Sequence, residues 1–127
     1  MGIRDMTISF EFFEKDAYLQ ATISDKSLNP KRAESILQSI NAECEKLNCR
    51  KVLLNELALE ERKIANHELP GLSENIPNVR LAFLCQPELI DDKAMLFGAL
   101  TFAGQYTMKH FCVESEAIRW LNSFPIH

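Results

Sequence analysis

Three short apolar runs, residues 51–57 (KVLLNEL), 79–85 (VRLAFLC) and 108–113 (MKHFCV), are separated by stretches whose apolar residues recur at intervals of three and four. Strand-length runs that alternate with helical periods need crossover connections, and crossovers leave neighbouring strands parallel. A run apolar at consecutive positions is covered on both faces, so the strands around residues 52 and 82 belong in the middle of the sheet. Few other folds satisfy this alternation.

The chain opens differently. Ile8, Phe10 and Phe12 alternate with Ser9 and Glu11, and Leu19, Ala21 and Ile23 alternate with Gln20 and Thr22. A turn at Lys15-Asp16 places Phe12 opposite Leu19, Phe10 opposite Ala21 and Ile8 opposite Ile23, with Ser9 on Thr22 and Glu11 on Gln20 behind them. One register sorts both faces, whereas a slip of one residue mixes them. The expectation is a β-hairpin.

Asn29 suits a helix N-cap and Pro30 a first helical position. Ala33, Ile36, Leu37, Ile40, Cys44 and Leu47 then form one apolar stripe, ending at Asn48 or Cys49. Residues 62–72 are weakly helical. Residues 88–103 read as a helix with Met95, Leu96, Ala99, Leu100, Phe102 and Ala103 inward and Gly104 at its end. Ser115 is positioned to cap a last helix that turns Ala117, Ile118, Trp120 and Leu121 inward. The order is β-β-α-β-α-β-α-β-α: an α/β domain, its N-terminal hairpin followed by a mostly parallel mixed sheet with helices mainly on one side.

At 14.5 kDa such a chain buries about two thirds of its unfolded surface, enough for one core. The expectation is a single domain over residues 1–127, its core at about residues 6–123. That core needs no disulfide staple, so Cys44, Cys49, Cys85 and Cys112, with no C-x-x-C pair among them, read as reduced thiols of a cytoplasmic protein. The first ten residues hold no apolar core behind a basic start, and the longest apolar run, residues 94–104, is half a bilayer span. No transmembrane segment is expected.

Chemistry-bearing patterns are sparse. Gly2, Gly71, Gly98 and Gly104 are scattered and none follows a strand, which excludes a known glycine-rich phosphate loop. His67, His110 and His127 are isolated, so no metal site is expected; His67 reads as a helix-surface residue and His110 as facing solvent or an edge. Asp91-Asp92 complement a helix N-terminus, and the charges of Glu60-Glu61-Arg62-Lys63 form a solvated face. With 14 Lys and Arg against 18 Asp and Glu, the net charge of −4 and the lack of a basic stripe exclude a nucleic-acid partner. Cys112 and His110 share a strand face two residues apart, the one pairing with the outline of a nucleophile and its base.

The pattern over about residues 6–123 resembles STAS domains of the SpoIIAA-like group, at times placed beside Sec14-type lipid-transfer domains. The likeness is carried by the element order, by KVLLNEL after an amphipathic helix, by VRLAFLC before a proline, and above all by the close. There Phe111 is followed by Glu116-Ala117 and Trp120-Leu121 in an F-x-x-x-x-E-A-x-x-W-L pattern. The resemblance implies a sheet with helices on one side and a non-catalytic module that binds a partner or small ligand. Anti-sigma-factor antagonists carry a phosphorylatable Ser in a D-S-S-G-like turn after the third strand. Here that place reads Asn55-Glu56-Leu57-Ala58-Leu59-Glu60, so no phosphate can be placed at the usual site to disrupt a partner surface.

Three functions follow as expectations. The first is a protein-interaction or regulatory module without cofactor, its surface at Leu57, Leu59, Glu60 and Arg62. The second is a carrier of a small apolar or lipid ligand, with Phe97, Leu100, Phe102 and Tyr106 lining a pocket. The third is a small enzyme using Cys112 and His110. The edge strand of the hairpin is also compatible with a homodimer.

Overall fold

The computed structural model describes residues 8–73, 79–92, 94 and 107–123. Strands β1 (Ile8–Phe13) and β2 (Tyr18–Ile23) pair antiparallel in the register that sorts the side chains, Ile8 opposite Ile23, Phe10 opposite Ala21 and Phe12 opposite Leu19. The turn lacks glycine, and Ala17 takes its left-handed position at φ 53°. Its N–H donates to the Glu14 carbonyl at 3.3 Å.

Helix α1 (Pro30–Leu47) begins where expected: the Asn29 side chain accepts the Arg32 N–H at 2.8 Å. It ends at Asn48 in the left-handed conformation, whose N–H bonds back to the last turn. Ile36, Leu37, Ile40 and Cys44 form its buried stripe. Strands β4 (Lys51–Asn55), β6 (Arg80–Leu84) and β7 (Thr107–Phe111) complete a five-stranded sheet of order β1-β2-β4-β6-β7. All pairs after the hairpin are parallel. The fold is α/β with a mixed sheet, and its most apolar strands are interior.

Two adjustments precede β6. Strands β3 (Ser27–Leu28) and β5 (Glu61–Arg62) form a separate two-stranded parallel sheet. The helix expected over residues 62–72 is therefore shortened to a 3-10 turn (Asn66–Glu68) and α2 (Leu69–Ser73). The N–H groups of Glu60 and Lys63 donate to the carbonyls of Lys26 and Leu28 at 2.8 and 2.6 Å, and those distant partners replace helical ones. Pro70 then stands in the first turn of α2, the place where a missing N–H does no harm.

Further along, Pro87–Leu89 is a 3-10 turn rather than the start of a long helix. Asp91 Oδ1 accepts the Ala94 N–H at 3.0 Å, the helix-terminus role its charge suits. Most of the helix expected over residues 88–103 lies outside the described residues, as do Phe97, Leu100, Phe102 and Tyr106. Helix α3 (Glu114–Leu121) starts one residue before Ser115, which is not its cap; Val113 holds that position without a side-chain bond. Glu114 and Glu116 place negative charge in the first turn instead.

Side-chain alternation along the strands divides the core. Val52, Leu54, Leu81 and Phe83 face α1, while Leu53, Ala82, Leu84 and Phe111 pack against Ala117 and Leu121 of α3. A smaller cluster of Ile64, Leu69 and Leu72 packs on Ala33 of α1. Helices α1 and α2 thus share one face and α3 covers the other. No helix among the described residues is long and apolar enough to cross a membrane.

Candidate functional site

Continuing the same alternation past the last paired residues brings Glu56, Cys85 and His110 to the α1 face at the C-terminal ends of β4, β6 and β7. Ligands of open α/β sheets bind outside the carboxyl ends of the strands, and a cavity lies there. Its volume is about 60 Å³, and it is partly open to the surface. Its walls are apolar, with Ile23, Leu54 and Phe83 from the sheet, Ile36 and Leu37 from α1, and Leu72 from α2. Among the described residues, the polar side chains that line it are Glu56, Arg62 and His110.

Glu56 is 1 % exposed. Its position is fixed by its N–H, which donates to the Leu84 carbonyl at 2.8 Å, and by a turn in which Asn55 Oδ1 accepts the Leu57 N–H at 3.0 Å. That Asx turn ends the strand expected to run to Leu57. Glu56 Oε1 accepts a hydrogen bond from Arg62 Nη2 at 2.5 Å. Arg62 also donates from Nη1 to the Leu89 carbonyl at 2.7 Å and meets the Cys85 sulfur. Full burial raises the Glu56 carboxyl above its ordinary range, and the adjoining guanidinium pulls it back. The Glu56 charge in turn holds Arg62 firmly protonated against the desolvation it suffers. The pair is neutral as a unit.

His110 stacks on Phe83 with ring centroids 4.6 Å apart and planes 12° from parallel. Burial, aided by the Arg62 charge and opposed by Asp91, lowers its pKa to about 4, so the imidazole is neutral at physiological pH. Cys85 is fully buried, and burial with the Glu56 charge beside it pushes its thiol up to about 11. A thiol held so far from ionisation is a poor nucleophile. Among the described residues, the cavity is an apolar chamber with one neutralised ion pair and one neutral imidazole in its wall.

The structure divides the residues expected to form an interaction surface. Leu57 is 41 % exposed and Glu60 is exposed, but Leu59 is completely buried in the core beneath them. Arg62 departs from the solvated face expected for residues 60–63 and turns into the cavity wall, because Glu56 supplies a buried counter-charge; Glu60, Glu61 and Lys63 remain outside. His110 lies on an edge strand as expected, yet lines a cavity rather than solvent. Cys112 is exposed beyond the end of β7, so the strand geometry expected to set it on the His110 face does not extend to it. His67 is exposed in the 3-10 turn. Among the described residues no group of three His, Cys, Asp or Glu is arranged to hold a metal ion.

Sequence reasoning missed Glu56. Its signal was present: in KVLLNEL a carboxylate stands two residues beyond Leu54, on the core face by alternation, with Arg62 near enough along the chain to neutralise it.

The chain matches no family model, no curated protein and no solved structure.

Proposed function

We propose that this chain is a non-catalytic, STAS-like binding module that takes a small, predominantly apolar molecule into the cavity at the C-terminal ends of β4, β6 and β7. The observation that carries this is the combination of an apolar cavity with a few inward polar groups at the carboxyl ends of the strands, the usual constitution and place of a small-molecule site. The polar groups are held for recognition rather than reaction. Glu56 and Arg62 neutralise each other, and the Cys85 thiol is far from ionisation at neutral pH. Native mass spectrometry of the purified protein tests the proposal. A small-molecule adduct that disappears on denaturation is expected; an apo mass, together with no binding of aliphatic probes, overturns it.

The exposed Leu57 favours a second role, contact with a protein partner. It sits on the loop that carries Glu56, and its carbonyl accepts the Gln86 Nε2 hydrogen bond at 2.9 Å. Occupancy of the cavity and the shape of that loop are thereby coupled, which suits a cytoplasmic regulatory module not switched by phosphate. Self-association through the free edge of β1, where Phe12 is exposed, is the homodimeric form of the same role.

A further inference from the structure

The chemistry of the cavity wall specifies the head group of the occupant. Glu56 Oε1 is engaged by Arg62, while among the described residues Glu56 Oε2 accepts no side-chain or backbone hydrogen bond, although the residue is 99 % buried and lines the cavity. His110 likewise makes its stacking contact with Phe83 and no hydrogen bond through either ring nitrogen among those residues. The carboxylate oxygen of a buried residue and the nitrogens of a half-buried imidazole, both lining the cavity, are free to bond to whatever occupies it. Together they offer a strong acceptor, and, on a neutral imidazole, one N–H and one lone pair.

From these groups we infer, building on the ligand-binding role proposed above, that the cavity selects an uncharged amphiphile: an aliphatic or ring body with a hydroxyl-type head group that donates to Glu56. The charge balance distinguishes this class from its nearest rivals. The Glu56–Arg62 pair already sums to zero. A carboxylate would bring an uncompensated negative charge into an apolar chamber, and an ammonium group an uncompensated positive one. A hydroxyl supplies the missing donor and accepts in return without adding charge.

The test compares three octyl probes, 1-octanol, octanoate and octylammonium, by isothermal titration at pH 8 with the full chain. There the carboxylate and amine are ionised and His110 is neutral. Saturable binding of 1-octanol at least about tenfold tighter than either charged probe is expected. Equal or tighter binding of octanoate or octylammonium overturns the head-group inference and leaves the ligand-binding role standing. Binding of none of the three overturns that role, and this inference with it. A His110→Phe variant keeps a ring on Phe83 while removing both nitrogens. Its octanol affinity should fall about threefold or more with octylammonium affinity unchanged, and an unaltered octanol affinity counts against the inference.

Discussion

The two faces of the sheet are built from adjacent residues of the same strands, yet they place their polar groups in opposite ways. On the α3 face, Leu53, Ala82 and Leu84 meet Ala117 and Leu121 in a sealed apolar layer. Two of its charged residues, Lys51 and Arg80, stand at the rim, at the first positions of β4 and β6. Arg80 lies over the Trp120 ring at 4.2 Å and donates to the Trp120 carbonyl at 3.1 Å, while Lys51 donates to Asn122 Oδ1 at 2.8 Å. On the α1 face the layer is sealed beneath the middle of the helix and hollow at the far strand ends, and there the charged residues lie inside. Rim charges fasten a covering helix, although burial still lowers the Arg80 pKa. Interior charges lose more hydration, so a buried pair is weak evidence of stability and fits the binding role proposed for the chamber.

The largest expected effect breaks the interior pair. Arg62→Met leaves the Glu56 carboxylate buried without its counter-charge and should lower unfolding free energy by about 3–5 kcal/mol. Adding Glu56→Leu should restore most of it, since an apolar replacement of both partners is close to neutral. Glu56 is already raised by burial, and without Arg62 it rises further. The folded single variant then binds more protons than the unfolded chain, so its stability should recover as pH falls. Urea unfolding of wild type and both variants at two pH values checks all three outcomes. A single variant as stable as wild type would show that the interior pair resembles the rim charges after all.

Neighbouring leucines sharpen the contrast. Leu53 faces the sealed layer and Leu54 the chamber, and both are buried. Leu53→Ala should cost about 3–5 kcal/mol, because the packed layer cannot collapse around the loss. Leu54→Ala should cost about 2–3 kcal/mol, because one side of that residue already borders empty space and has fewer contacts to lose. Equal costs by urea denaturation would mean that the cavity is closed in solution.

The pH dependence of wild type tests the imidazole. In the unfolded chain His110 titrates near 6.5, while in the folded chain it titrates at about 4. Between those values the unfolded state binds more protons, so the contribution is complete above about pH 6.5 and is lost as pH falls towards 4. It amounts to about 2–3 kcal/mol, and the wild-type profile should be steeper than that of His110→Phe by that amount across this window. Parallel profiles would place His110 in water.

How far the sequence could be read follows from which interactions are local. The hairpin register, the Asn29 cap and the helix end at Asn48 depend on residues a few positions apart, and all were legible. The interior position of β4 and β6 followed from uninterrupted apolar runs. The β3–β5 pairing was not legible, since two-residue strands leave no periodicity and the bonds from Lys63 to Leu28 and Glu60 to Lys26 join distant segments. Glu56 was half legible: alternation puts it inward, but a lone charged residue after a strand resembles a strand end until Arg62 is seen to turn back towards it. The remaining pocket candidates, Phe97, Leu100, Phe102 and Tyr106, fall outside the described residues.

The smallest expected effect concerns the thiols, and it separates binding from catalysis. Cys85 is buried at the cavity end of β6, beside Arg62, and its thiol is pushed up to about 11; Cys112 is exposed beyond β7. Cys85 lies behind the chamber wall rather than in it, and its thiol is poorly ionised at pH 8. Iodoacetamide at that pH should therefore alkylate Cys112 first and reach Cys85 only as the protein unfolds. Cys112→Ser, a surface change, should alter stability by less than about 0.5 kcal/mol and leave octanol affinity unchanged. Rapid alkylation of Cys85 in the folded protein, blocked by 1-octanol, would be the opposite result. It would make the α1 face a reactive centre, with Arg62 stabilising a thiolate, and the contrast between the faces would become one of chemistry rather than recognition.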